Sequence, residues 1–304
     1  MSTSSKPQLT AEQIQKLPAK FTRFRILVIG RANAGKTTIL RRLCNTTGEP
    51  TIFSPNGQKV FACSCNPSVG RGEHDIRNQI TFESNPGFIF HDSRGFEAGS
   101  AEELKTVQEF IKERLKAKNV KEQLHAIWYC IPTSDDRPIT AAERKFFNEC
   151  GTGLVPVILL WTKTDSLDVA KIKQLMKEGN SRAEALQQAP QKAWTDFEQS
   201  THQRFEEFKY PPKAYVVFRK MHEPGADCKD LIEKTTAALS SEELQQLFLS
   251  TQQNNVEVCI RYGVKRLLNQ TESTLLRYFK TNKGNWAYFM ATVLSYFPNI
   301  VVCI

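Results

Sequence analysis

Gly30-Arg31-Ala32-Asn33-Ala34-Gly35-Lys36-Thr37 is the stretch whose reading decides the fold. The apolar run Phe24-Arg25-Ile26-Leu27-Val28-Ile29 leads directly into it, and Thr38-Ile39-Leu40-Arg41-Arg42-Leu43 continues from it at helical spacing. Strand, glycine-punctuated loop and helix follow one another as in Gly-x-x-x-x-Gly-Lys-Ser/Thr. There the glycines let the backbone bend tightly and bring its N–H groups against phosphate oxygens. Average residue usage would produce these four fixed positions in about 1% of chains this long, so the flanking context decides against a bland glycine turn. Gly30 to Thr37, with Thr38 beyond, are therefore the candidate anion cradle. Lys36 is placed to reach β- and γ-phosphates, Thr37 to offer a hydroxyl to Mg²⁺, and the positive end of the helix to face the anion.

Outward from this stretch, 304 residues with 40% hydrophobic content suffice for one large α/β domain and an appendage. The formal charge of +9 is spread among 32 acids without a run of five basic residues, which points away from nucleic acid as a partner. Eight cysteines form no zinc-type pair, and Cys63-Ser-Cys65 has the wrong gap for a finger or a thioredoxin-like motif, so free thiols are expected. Residues 1–20 are polar and lack an apolar secretory core. They read as a flexible leader, and a cytoplasmic location is the expectation.

Along the chain, Asn45 to Glu73 loses periodicity amid prolines and glycines and reads as a long loop or mobile switch. His74 to Phe82 alternates, Ser84-Asn85-Pro86-Gly87 reads as a turn, and Phe88-Ile89-Phe90 returns as the second strand of a hairpin. Capping boxes at Ser100-Ala101-Glu102-Glu103 and Thr140-Ala141-Ala142-Glu143 open helices to about Lys118 and Cys150. Leu124 to Ile131 and Val155 to Trp161 are apolar runs fit for buried parallel strands, and Ala214 to Phe218 is the last strand. Between them, 168–212 is a helical insertion of two helices, broken around Gly179-Asn180 and Pro190. The expectation is an α/β fold: a mostly parallel six-stranded sheet flanked by helices across 21–228, with a helical extension over 229–304.

Three motifs each fall at the carboxyl end of a strand, where open α/β sheets bind ligands. After the phosphate loop comes Asp92-Ser93-Arg94-Gly95, in which Asp92 can hold Mg²⁺ through water and the Gly95 N–H can sense a γ-phosphate. Thr162-Lys163-Thr164-Asp165 can then read a base. A carboxylate at Asp165 accepts two parallel hydrogen bonds from guanine N1–H and its exocyclic amine, an edge that adenine does not offer. Lys163 would lie along the base.

With these motifs in order, the chain resembles the GTPase G domain over roughly residues 21–221. More narrowly, the stretch 72–97 is similar to G domain-containing proteins of basidiomycete fungi. The resemblance implies GTP or GDP with Mg²⁺ as ligands and slow GTP hydrolysis. Phe96 stands where Ras-like GTPases carry a water-orienting glutamine, as in the Era-like and septin- or AIG-type branches, so no catalytic residue is assigned. Arg71, His74 and Arg94 are polar groups nearby that read first as solvated loop residues. The first switch lacks its usual threonine; Ser68 is the candidate metal ligand there, with Glu73 at a similar spacing. A backbone contact to the base is expected at Arg219 to Met221.

Two functional classes stay open. One is a switch that engages a protein effector in one nucleotide state; the other is a GTP-dependent scaffold or membrane-associated homo-oligomer with incidental hydrolysis. The stretch 286–304 carries no charge across 19 positions, which suits core packing or membrane contact. Arg261, Lys265, Arg266, Arg277, Lys280 and Lys283 precede it as basic residues that could meet anionic headgroups.

Overall fold

A computed structural model of the protein describes residues 23–60, 75–93, 101–135, 137, 139–251 and 261–262. Eight strands form one sheet: β1 (Phe24–Gly30), β2 (Thr51–Phe53), β3 (Lys59–Val60), β4 (Gln79–Phe82), β5 (Asn85–Asp92), β6 (Ala126–Pro132), β7 (Val157–Thr162) and β8 (Ala214–Val217). Their order is β3-β2-β4-β5-β1-β6-β7-β8. From β5 to β8 every pairing is parallel, whereas β4, β2 and β3 extend the sheet antiparallel. The sheet is thus mixed α/β as expected but has eight strands in place of six. The two additional strands, three and two residues long, come from the stretch read as a loop.

The hairpin differs in its turn. Asn85, Pro86 and Gly87 belong to β5, and the reversal uses only Glu83 and Ser84. Pro86 is tolerated because pairing with β1 begins two residues later, at Phe88, and the β4 register shifts between Ile80 and Phe82. The missing N–H therefore falls where the ladder is already interrupted.

The central strands read as continuous apolar runs because helices cover both faces. On one face, alternate residues Ile26, Val28, Phe88, Phe90, Trp128 and Leu160 pack against three helices. These are α1 (Lys36–Leu43), α7 (Lys229–Ala238) and α8 (Glu242–Ser250). Leu231, Ile232, Leu247 and Phe248 lie in this same core, and the Trp128 indole N–H donates to the Thr235 hydroxyl at 3.2 Å. On the other face Leu27, Ile29, Tyr129, Ile131, Leu159 and Trp161 pack against α2 (Ala101–Leu115), α3 (Ala141–Glu149) and α6 (Gln203–Glu206). Thr140 and Glu143 form the expected capping box of α3, whereas Ser100 lies outside the described residues.

Between β7 and β8 the chain makes α4 (Ser166–Lys177) and α5 (Arg182–Phe197), then a wider π-type turn (Glu198–His202) before α6. Ser181 and Glu184 cap α5 reciprocally. Pro190 lies inside α5 without ending it, contrary to the expected break. The bond its absent N–H forfeits would have gone to Leu186, whose side chain is exposed, so water can satisfy that carbonyl. The cysteines Cys44, Cys130, Cys150 and Cys228 are buried free thiols. No helix among the described residues is long and apolar enough to cross a membrane. The leader 1–20, the stretch 286–304 and all the basic residues before it except Arg261 lie outside the described residues, and Arg261 pairs with Glu233.

Candidate functional site

Because β1, β5, β6, β7 and β8 are parallel, Gly30, Asp92, Pro132, Thr162 and Val217 end on one side of the sheet. The chain leaves β1 to pair β5 on one flank and β6 on the other, so β1 is where the winding reverses and a ligand crevice opens. Gly30 begins the loop at φ 140°, and a Cβ there would stand 2.1 Å from the Cys130 carbonyl oxygen. No side chain fits. Asn33 at φ 56° and Gly35 at φ 80° turn the loop through left-handed conformations, and Gly35 adjoins open space.

Helix α1 starts at Lys36, and its first internal bond runs from the Ile39 N–H to the Gly35 carbonyl at 3.1 Å. The N–H groups of Lys36, Thr37 and Thr38 therefore face the helix end without intrahelical acceptors. The Lys36 ammonium folds over the loop, donating to the carbonyls of Arg31 at 3.1 Å and Gly30 at 3.4 Å. An ammonium has three donors, so a third remains for an anion. Thr37 and Thr38 are exposed, as a hydroxyl meant for a cation or phosphate requires. An open concave loop, a lysine across it and three helix-end donors fit a phosphate group.

Asp92 ends β5 half-buried, and the next N–H, of Ser93, donates to the Val28 carbonyl at 3.2 Å, keeping this segment beside β1. Lys36 and Asp92 both act on the buried Cys130 thiol. Burial pushes that thiol up to about 12, with Lys36 opposing and Asp92 reinforcing the rise. Gly95, Phe96, Arg94, Ser68, Arg71, Glu73 and His74 lie outside the described residues.

His91, immediately before Asp92, is completely buried. Its Nδ1 lies 2.9 Å from the Ile76 carbonyl and its Nε2 2.7 Å from the Arg25 guanidinium, which assigns the neutral ring with the proton on Nδ1. Burial first, and the Arg25 charge second, push its pKa down to about 3. His125 accepts from the Arg25 backbone N–H through Nδ1 and is held neutral in the same way, at about 4, chiefly by burial. Sequence reading did not single out this cluster. Two histidines and an arginine 34 to 100 residues apart share no local pattern.

The residues at the end of β7 lie against the loop that follows β1 and the stretch that follows β8. Thr162 donates its hydroxyl to the Ala34 carbonyl at 2.8 Å, and the Thr164 hydroxyl donates to the Phe218 carbonyl at 3.1 Å. Lys163 adopts φ 56°, held by the Thr133 hydroxyl donating to its carbonyl at 3.0 Å. Asp165 occupies the N-cap of α4 but makes no side-chain cap. Its Oδ1 accepts instead from the backbone N–H of Lys220 at 2.9 Å, which brings the stretch after β8 beside Asp165. A carboxylate has further lone pairs, and Asp165 keeps acceptor capacity. Arg42 of α1 donates to the carbonyls of Met221, His222 and Glu223, and Arg219 pairs with Asp168. Thr133 and Arg42, which brace this end of the site, carried no sequence signal.

The Arg31 side chain points away from the cradle, with Nε and Nη2 on the Glu143 carboxylate at 3.0 and 3.1 Å, so only its backbone lines the loop.

No protein-family model matches this chain, and no curated protein matches it. Among solved structures, it is similar to a GDP-bound mutant of the S. thermophilus FeoB G domain, at 15% identity over 50% of this chain and 50% of that one, TM-score 0.29. It is also similar to a mutation variant of SsGBP, at 13% identity over 74% of this chain and 56% of that one, TM-score 0.34. The chain spans about half the length of either. The fold is an eight-stranded mixed α/β sheet flanked by helices, with a phosphate-loop geometry at the end of its central strand.

Proposed function

We propose that this chain binds GTP and GDP with Mg²⁺ and hydrolyses GTP slowly, acting as a nucleotide-dependent switch. The observation that carries the reading is the bond from Thr162 to Ala34, which ties the segment leading to Asp165 to the backbone of the Gly30–Thr37 loop. Gly30 to Thr38 hold the phosphates through backbone N–H groups and the Lys36 ammonium. Thr37 would hold Mg²⁺ by its hydroxyl and Asp92 through water; the ion neutralises phosphate charge. Asp165 selects guanine, and Lys163 lies along the base. Hydrolysis proceeds at about 10⁻⁴ to 10⁻² per second until an external group completes the site, since Phe96 cannot orient water.

Titration calorimetry with GDP, GTP and ATP in Mg²⁺ tests the reading. Guanine nucleotides should bind at least about 10⁴-fold more tightly than ATP, because a base-reading group left unpaired is costly. Equal affinities would overturn it. Gel filtration with GDP and with a non-hydrolysable GTP analogue then separates a monomeric switch from an assembling scaffold.

A further inference from the structure

Arg31 stands second in the phosphate loop, yet its guanidinium is spent elsewhere. Besides the fork onto Glu143, its Nη1 donates to the Arg137 carbonyl at 2.8 Å and pairs with Asp135 at 3.1 Å. Glu143 is completely buried and its Oε2 also accepts from the backbone N–H and hydroxyl of Thr140. One arginine therefore gathers Asp135, Arg137 and the Thr140–Glu143 capping box, all lying between β6 and the first turn of α3. Arg137 is largely exposed and Asp135 partly so.

The same residue touches the opposite side of the site through its backbone, where its carbonyl accepts from Lys36. The ammonium and the guanidinium fork are thus joined through a single residue. A buried ion pair is weak evidence for stability, because packed apolar residues often replace one without loss. What apolar residues cannot do is reach a carbonyl and a second carboxylate in fixed geometry, which the planar five-donor fork does.

We propose that Arg31 is a positioning residue whose side chain latches the segment around Asp135, Arg137 and Thr140 to the phosphate loop, making that segment a nucleotide-responsive region of the molecule. Its nucleotide response rests on the guanine-nucleotide reading above. Displacement of the loop backbone on phosphate binding is carried through Arg31 to Arg137 and Asp135, and the surface they present changes with the bound nucleotide.

Backbone amide hydrogen exchange over 133–140 tests this in the full chain, nucleotide-free, with GDP, and with a non-hydrolysable GTP analogue and Mg²⁺. Arg31→Met/Glu143→Gln removes both buried charges and keeps an acceptor for the cap. Arg31→Lys keeps the charge but loses the fork. In the unaltered protein, exchange there should differ at least threefold between the two nucleotides. In the double variant the difference should vanish, and nucleotide-free exchange should rise about tenfold; Arg31→Lys should fall between, with its thermal midpoint near that of the unaltered protein. An unaltered protein that binds both nucleotides without a change over 133–140 overturns the inference. So does a double variant that keeps full nucleotide-free protection. If no guanine nucleotide binds the unaltered protein, the functional reading falls, and the latch is judged by the nucleotide-free exchange alone.

Discussion

The Thr162 hydroxyl donates to the Ala34 carbonyl at 2.8 Å, with Thr162 nearly inaccessible. Residues 128 apart in sequence are thereby joined, and the two strand ends that carry candidate site residues are tied together. Thr162→Val keeps the shape but leaves the Ala34 carbonyl without this donor, at a cost of about 1–3 kcal/mol. GDP affinity should fall about tenfold and the thermal midpoint by a few degrees. Calorimetry and thermal melts check this; an unchanged affinity would show that the two motifs act independently.

Lys36→Ala deletes the cation that spans the loop between the Gly30 and Arg31 carbonyls. The remaining donors are neutral backbone groups, so nucleotide binding should become undetectable at micromolar concentrations. The half-buried side chain contributes little to the core, and the melting temperature should stay within a few degrees. A variant that binds GDP normally would place the phosphate site elsewhere.

How much of this was legible depended on range. Gly30 to Thr37 is a local pattern, and the apolar runs at Phe24 and Leu124 announce buried strands because nothing but burial explains them. Strands β2 and β3 were not legible: three and two residues at a sheet edge cannot display a period, and the pairing of β2 with Gln79–Phe82 on one side and of β3 with β2 on the other is set by the tertiary fold. The Asn85-Pro86-Gly87 stretch has turn composition, but antiparallel pairing of Asn85 with Phe82 outweighs it. Arg31 fitted the loop pattern by position alone; its side chain's destination lies 112 residues away, and no spacing rule spans that distance.

Acid should destabilise the protein well above the carboxylate range. His91 and His125 are neutral in the fold, with pKa values pushed down to about 3 and about 4, whereas the unfolded chain protonates them near the ordinary value of 6.5. Between these values the unfolded state binds more protons. The stabilisation is therefore complete above about pH 6.5 and is lost as pH falls toward 4, by up to about 1.4 kcal/mol per pH unit for each ring. Urea unfolding at pH 7, 6, 5 and 4.5 measures the slope. His91→Gln, which cannot protonate, should roughly halve it; an identical slope would assign the acid sensitivity to other groups.

Asp165 is the candidate base-reading group. Its Oδ1 is steadied by the Lys220 N–H at 2.9 Å, and Lys220 holds a left-handed φ of 47° to present that donor. The carboxylate is thus oriented by backbone before any ligand arrives, which lowers the ordering cost of binding. Guanine offers two donors to the remaining acceptor positions, adenine neither. Asp165→Asn keeps an oxygen that can accept from Lys220 and turns an amide toward the base, where it repels the guanine donors and can donate to the extra carbonyl of xanthine. GDP affinity should fall at least a hundredfold, or about 2.7 kcal/mol, while XDP gains by a comparable factor. Competition against a fluorescent guanine nucleotide measures both. An Asp165→Asn protein that retains GDP and ignores XDP would mean that the base is read by other groups, whatever holds the phosphates.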